Sequence, residues 1–128
     1  MGHVWVDAVV ANAEGTARKS VRALVDTGAT LTVLPRSLAD ALGIKPHSIS
    51  RVETGAGVVT MERGRAYVEI MGRGEVVPVL ISDVADKVLI GVTTLEILEL
   101  EVDPVTGRLK ERALLLYTVV ESGPRGRF

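Results

Sequence analysis

Apolar and polar residues alternate along much of the chain, a pattern typical of β-strands that bury one face. The alternation predicts a hairpin formed by residues 3–12 and 18–25, which turns at Glu14 and Gly15. The same pattern predicts further strands in four segments: 50–62 around a turn at 54–57, 65–82 around a turn at 72–74, 86–91, and 113–120. Strands therefore dominate the predicted structure, and the predicted fold class is mostly β.

Two short segments instead have the spacing of helices. Residues 35–43 are predicted to form one, with Pro35 at the first helical position and Gly43 as the stop signal. Residues 93–100 are predicted to form the other, with Thr93 as its N-cap. A turn rich in Asp, Pro and Gly is expected after the second helix, over residues 103–107.

Length and composition indicate one globular domain. The chain has 128 residues, of which 47% are hydrophobic and 24% are charged. We therefore expect a single domain over residues 1–128, in which 121–128 form a flexible tail.

Charge and residue content exclude several classes of function. Fifteen basic residues face sixteen acidic ones, so the formal net charge of -1 gives no electrostatic case for binding nucleic acid or an anionic membrane. Cysteine is absent and the two histidines, His3 and His47, are far apart, so we expect no metal site. No apolar run is long enough to span a bilayer and no signal peptide is evident, which favours a cytoplasmic protein.

The segment ALVDTGATLTVLP, residues 23–35, contains one acid among apolar residues, Asp26. An isolated carboxylate is costly to keep charged in apolar surroundings, so a functional reason is needed. The strand before it would deliver the carboxylate, Thr27 offers a hydroxyl, and Gly28 permits a sharp turn and close approach of another backbone. Two such carboxylates that share one proton can activate a water molecule, but this chain contains the Asp-Thr-Gly triplet only once.

Four motifs together resemble the retropepsin-type aspartic proteases, the single-domain class that includes retroviral enzymes and cellular and prokaryotic relatives. LVDTGAT resembles the catalytic loop, and VETGAGVV resembles the hairpin, or flap, that closes over substrate. YVEIMGRGEVVPVLIS resembles the hairpin after the flap, and VLIGVTTLEIL resembles the last strand and helix of the fold. The resemblance extends from Val4 to Leu100 and favours the prokaryotic and cellular branch.

The resemblance implies a closed, β-barrel-like subunit with one or two short helices, active as a symmetric dimer. Each subunit of the homodimer would contribute Asp26 to a catalytic dyad, with Thr27 and Gly28 supporting it. The dyad would activate water to hydrolyse peptide or protein substrates without a cofactor. The residues implied in substrate binding are Gly28, Ala29 and Thr30 in the loop, Gly55, Ala56 and Gly57 at the flap tip, and Leu24 and Leu89 in the pockets.

Other interpretations of the same residues remain open. Asp26 could be an ordinary turn residue, Leu24 and Leu89 could serve core packing, and the glycines of 54–57 could belong to a plain hairpin. Retroviral enzymes usually have an acid where this chain has Thr30 and an arginine where it has Val92, so a retroviral substrate preference does not follow. The alternative function is a non-catalytic dimeric module that binds an extended peptide on the same fold. A processing enzyme restricted to its own precursor or to one partner is a further option.

Overall fold

The computed structural model describes residues 3–116 and residue 118. This part of the chain contains nine strands and two short helices, which confirms the mostly β fold class. In chain order they are β1 (Val4–Asn12), β2 (Arg18–Val25), β3 (Thr32–Pro35), α1 (Arg36–Leu42), β4 (Ser48–Thr54), β5 (Gly57–Ile70), β6 (Arg73–Ser82), β7 (Leu89–Ile90), α2 (Val92–Ile97), β8 (Leu100–Val102) and β9 (Leu109–Glu111).

The first seven strands form one sheet in the order β1-β2-β7-β3-β6-β5-β4. Pairing between β1 and β5 joins the sheet into a ring and leaves β4 attached outside it. Most neighbours are antiparallel, but β2 runs parallel to β7, and β3 runs parallel to β6. Strand β7 therefore lies between β2 and β3, the two strands that flank Asp26 in the sequence. Strands β8 and β9 form a separate hairpin.

An aliphatic core fills the ring, because alternate residues of each strand point inward. Along β5 the buried positions are Gly64, Ala66, Val68 and Ile70, while the residues between them are more exposed. Helix α1 adds Leu38, Ala39 and Leu42 to the core, and α2 closes the core near β8. The largest fully buried side chains are Leu34, Ile70, Ile90, Leu100, Val10, Val68, Val77, Val79, Thr32 and Thr94.

Both helices begin one residue away from the predicted position. Pro35 is the last residue of β3 and the N-cap of α1, with an extended ψ of 145°, so the prediction that it is the first helical residue was wrong. Helix α2 is capped by Gly91, not Thr93, because the Gly91 carbonyl accepts the first helical hydrogen bond, from the Leu95 N–H at 3.2 Å. Gly43 ends α1 with a φ of 70°, as predicted.

The strands differ from the sequence predictions in several places, since β3, β8 and β9 were not predicted and β4 begins two residues earlier than predicted. Strand β5 continues without interruption from Gly57 to Ile70, and the next turn lies at 71–72, one residue earlier than predicted. Within 86–91 only Leu89–Ile90 is a strand, since the chain turns at once into α2. Residues 113–116 and 118 form no strand, because leucines 114–116 are exposed and pair with no neighbouring strand of the described chain. The other residues of the predicted last strand and the predicted tail at 121–128 lie outside the described residues.

An ion-paired arginine joins α1 to the sheet. The Arg36 guanidinium contacts Asp83 Oδ1 at 2.8 Å and also contacts Glu62 of β5. The hydrogen bond from Arg36 holds the pKa of the Asp83 carboxyl below its usual value. Any stability that this pair contributes is thus present above the unfolded-state pKa of Asp and is lost as pH falls through the lower folded-state value. Because both partners are partly exposed, the contribution is small.

Candidate active site

Asp26 follows the last residue of β2 and begins the loop that leads to β3. Its N–H donates to the Ile90 carbonyl at 2.9 Å, which continues the parallel pairing of β2 with β7 for one residue. Its carboxylate Oδ1 accepts a hydrogen bond from the Gly28 N–H at 2.9 Å, and the side chain is only partly buried. The carboxylate is therefore oriented by its own loop while part of it stays accessible.

Backbone hydrogen bonds attach this loop to the start of α2. The Val92 N–H donates to the Ala29 carbonyl at 2.8 Å, and the Thr93 N–H donates to the Thr30 carbonyl at 3.0 Å. These are the first two N–H groups of α2, which no carbonyl within the helix can satisfy. The loop after Asp26 thus caps the helix, and the helix in turn fixes the path of the loop.

Two buried threonines form a second link beneath the loop. The hydroxyls of Thr32 and Thr94 lie 2.7 Å apart, and the Gly91 N–H donates to Thr32 Oγ1 at 3.1 Å. Both side chains are almost completely buried, so each hydroxyl needs this partner. Thr32 and Thr94 were not among the site residues predicted from the sequence. A signal that could have found them is the similar layout of ALVDTGATLTVL and VLIGVTTLEIL, each with threonines after a glycine turn.

Gly91, which follows β7, lies directly against the backbone of the loop between Asp26 and β3. An added Cβ would lie 2.5 Å from the Leu31 carbonyl carbon and 2.6 Å from its oxygen. The φ of Gly91 is -88°, so the restriction is contact with backbone and not an unusual torsion angle. Glycine at this position therefore permits the contact between the Asp26 loop and β7.

Replacing Gly91 with Ala should lower the free energy of unfolding by about 1–3 kcal/mol, because backbone atoms must move to admit the methyl group. Urea denaturation at a fixed protein concentration measures the change. Gly55→Ala is the matched control, since nothing lies within 4 Å of a Cβ at Gly55 and its φ is not positive. Equal stability of the Gly91 and Gly55 variants would contradict the close-contact explanation.

A cleft of about 720 Å³ extends from the Asp26 loop to the β4–β5 hairpin. Its loop side includes Gly28, Ala29 and Thr30, three of the predicted substrate-binding residues. Asp26, Thr27, Leu24, Leu89 and the hairpin tip at 55–57 do not line this cleft in the single chain. Beyond the loop, the cleft is lined by Leu31, Val33, Ser50, Arg51, Val52, Glu53, Thr54, Met61, Arg63 and Leu80.

A row of cross-strand neighbours joins the region of Asp26 to this cleft. Leu24 of β2 is paired with Leu89 of β7, and Leu89 is paired with Val33 of β3. The row continues through Leu80 of β6 to Arg63 of β5. Paired residues project from the same face of a sheet, so these four aliphatic side chains form one continuous apolar strip. Leu24 and Leu89 are thus partly exposed neighbours within this strip.

The tip of the β4–β5 hairpin is fixed by a threonine that sequence analysis did not single out. Thr54 is paired with Gly57, its hydroxyl donates to the Gly57 carbonyl at 2.8 Å, and it accepts from the Ala56 N–H at 3.1 Å. Gly57 has a φ of 116°, a region that residues with a side chain rarely adopt. The tip residues are exposed, as are the valines at 58 and 59 that follow them.

Within residues 3–116 and 118, no group of three or more His, Asp or Glu side chains is arranged to hold a metal ion. No helix in the same part of the chain is long and apolar enough to cross a membrane.

Comparison with solved structures identifies the fold as that of the retropepsins. One match is the EIAV protease in complex with the inhibitor HBY-793, with a TM-score of 0.61 and 18% sequence identity over 76% of this chain and 88% of that chain. Another is the protease of simian foamy virus (mac), with a TM-score of 0.53 and 22% identity over 72% of this chain and 91% of that chain.

A family model assigns the sequence more specifically. Residues 13–97 match the family described as "gag-polyprotein putative aspartyl protease", a region that contains Asp26 and the β4–β5 hairpin. The chain belongs to this family of retropepsin-like aspartyl proteases, as its motifs predicted. No curated protein sequence matches the chain.

Proposed function

We propose that the protein is a homodimeric aspartic endopeptidase in which each subunit contributes one Asp26. The observation that carries the proposal is the fixed, partly accessible carboxylate of Asp26 at the end of an apolar strip that leads to a cleft. Family membership supports the same chemistry. The sequence has the Asp-Thr-Gly triplet once, so a dyad requires a second copy of the chain.

The proposed reaction uses the two carboxyl groups in different protonation states. The ionised carboxylate accepts a proton from water while the water oxygen attacks the peptide carbonyl carbon. The protonated carboxyl donates its proton to the carbonyl oxygen, which gives a tetrahedral intermediate. Proton transfer to the amide nitrogen then lets the C–N bond break, and the products are a carboxylic acid and an amine. No metal or organic cofactor takes part.

The surroundings of Asp26 support further roles. The Gly28 N–H orients the carboxylate, Thr27 is exposed and available to a second subunit, and Ala29 and Thr30 line the cleft. In the proposed complex the β4–β5 hairpin acts as a flap, with Gly55, Ala56 and Gly57 above the substrate. An extended peptide would lie along the apolar strip, with its side chains near Leu24 and Leu89.

The rate of cleavage should depend on subunit association. Far below the dimer dissociation constant, the initial rate should rise with about the square of total protein concentration, and far above it the rate should become linear. The measurement is cleavage of a generic unfolded protein over a wide range of enzyme concentrations, together with the solution mass at each. A monomer that cleaves at a rate proportional to concentration throughout would contradict the shared dyad.

A matched binding measurement separates catalysis from simple recognition. A peptidic mimic of the tetrahedral intermediate should bind the protein and stop cleavage of the unfolded substrate. Binding of peptides with no cleavage under any condition would instead favour the non-catalytic dimeric module.

Gly57→Val should reduce cleavage by about 10-fold to 100-fold, because the positive φ disfavours a β-branched residue and misplaces the tip. The loss of folding stability should be modest, since the tip is exposed and open space surrounds the new side chain. Gly15→Val is the control, because Gly15 also has a positive φ and open space but lies at the β1–β2 turn. Cleavage and unfolding assays on both variants test this. Activity that falls equally in both would mean that the Gly57 effect is structural strain alone.

A further inference from the structure

The charges that line the cleft all lie on one side. Arg51 and Glu53 of β4 and Arg63 of β5 contribute to its outer wall. The opposite wall, from Gly28 to Leu31 and at Val33, contains no charged side chain. The cleft therefore carries two positive charges and one negative charge at the end remote from Asp26.

The three charged residues are not equivalent. Arg51 and Glu53 are exposed and two residues apart on β4, so they project from the same face and partly offset each other. Arg63 is less exposed and continues the row of paired residues through Leu80 and Val33. Its position places a guanidinium directly beside the apolar strip.

Arg63 also has unused hydrogen-bonding capacity. Its side-chain contact within the described residues is a long one, 3.5 Å from Nη1 to Ser50 Oγ, and no carboxylate there forms an ion pair with it. A guanidinium has five N–H donors and binds a carboxylate in a two-point geometry. Five other arginines of the described chain are ion-paired, namely Arg18, Arg22, Arg36, Arg73 and Arg112, whereas Arg51, Arg65 and Arg108 are not. Of the described arginines without an ion pair, only Arg63 both lines the cleft and continues the row of paired residues.

We propose that Arg63 binds a carboxylate of the peptide substrate and makes the protein selective for acidic peptides. This inference rests on the proposed function, since it names a substrate class for the same cleft. The carboxylate belongs to a Glu or Asp side chain or to the C-terminus of the peptide, because either offers the same two oxygens.

The row of paired residues sets the distance of this contact from the reacting bond. Leu89 precedes Ile90, whose carbonyl accepts the hydrogen bond from the Asp26 N–H, so β7 lies next to the proposed catalytic residue. Arg63 is three strands from Leu89, and neighbouring strands are about 4.8 Å apart, which gives roughly 14 Å between the two backbones. An extended peptide advances about 3.3 Å per residue, and the arginine side chain shortens the gap. We therefore expect the recognised carboxylate about two to four residues from the bond that is cleaved.

The test compares peptides that differ by Glu or Gln at each of these positions, on both sides of the cleaved bond. All peptides are made with a free and with an amidated C-terminus.

Two quantities are measured at a pH above the ordinary pKa of Glu, about 4.3. They are kcat/KM for cleavage and the Kd of an uncleavable analogue, determined by fluorescence anisotropy. Wild type is compared with Arg63→Gln, Arg63→Lys and Arg65→Gln. Arg65 is the matched control, because it is an exposed arginine on the same strand and outside the cleft.

Wild type and Arg65→Gln should prefer either Glu over Gln at one position, or the free over the amidated C-terminus, by about 10-fold, the effect expected for a charge-assisted hydrogen bond. Arg63→Gln should lose the preference and Arg63→Lys should keep part of it. A preference for Glu over Gln assigns the carboxylate to a side chain, and a preference for the free over the amidated peptide assigns it to the C-terminus. If wild type shows a preference below about twofold at every position and at the C-terminus, that result alone overturns the proposal. An unchanged preference in a folded Arg63→Gln variant would also overturn it. A binding preference without cleavage would refute the proposed function and leave the role of Arg63 intact.

Discussion

Asp26→Asn should reduce peptide cleavage by about 10³-fold or more, because the amide can neither accept the proton of water nor share a proton with its partner. The fold should persist, since the amide oxygen of Asn can still accept the hydrogen bond that the Gly28 N–H donates to Asp26. The measurement is initial rate for the purified variant, together with its unfolding midpoint and solution mass. Comparison of the rate with the unfolding midpoint and the mass therefore distinguishes a loss of catalysis from a loss of folding or association.

The control for this substitution is Asp40→Asn. Asp40 is an exposed residue of α1 and lies outside the cleft, so the same loss of charge should leave the rate unchanged. A fully active Asp26→Asn protein would remove Asp26 from the mechanism and end the protease assignment for this residue. A variant that is inactive because it is unfolded would be recognised by its unfolding curve and would count against the predicted persistence of the fold.

Excess Asp26→Asn chain should inhibit the wild-type enzyme when the two are mixed and allowed to exchange subunits. At a ninefold excess, random pairing leaves about one tenth of wild-type chains in dimers with two aspartates, by mass action. The rate per wild-type chain should then fall about tenfold, because a dimer with one carboxylate has no second group to hold the shared proton. The rate is measured after exchange has been demonstrated by mass spectrometry of a tagged chain.

Excess Asp40→Asn chain provides the comparison, since its dimers with wild type keep both copies of Asp26 and should be fully active. An undiminished wild-type rate in the presence of exchanged Asp26→Asn chain would contradict the shared dyad. Asp26 would then have to act alone or with another acid of its own chain.

The first hairpin and the end of the first helix could be predicted, because each depends on neighbouring residues in the sequence. The alternation in residues 3–12 and 18–25 predicted β1 and β2, and Gly43 predicted the end of α1. Strand β7 was predicted too long, because a strand that lies between two others can be as short as two residues. The strand predicted at 113–120 was wrong for the described residues 113–116 and 118. The leucines at 114–116 are apolar, but β-propensity alone does not supply a partner strand.

The site was predictable to the extent that its motif is contiguous. The triplet at 26–28 is read directly from the sequence, whereas the contact between Gly91 and Leu31 joins segments about sixty residues apart. The hydroxyl pair of Thr32 and Thr94 is equally non-local, and it was not predicted. The role proposed for Arg63 had no sequence signal, because it depends on the place of Arg63 in a row that crosses five strands.

The unbroken course of β5 has a mechanical consequence for the hairpin that it helps to form. Residues 66–70 are held between β1 and β6, whereas the first residues of the strand are paired only with β4. The base of the hairpin is thus held in the ring by two neighbouring strands, whereas its tip is supported only by the pairing of β4 with β5. A force at the tip would therefore bend residues 57–61 about the point where β6 joins the strand at Glu62, and would leave residues 66–70 in place between β1 and β6.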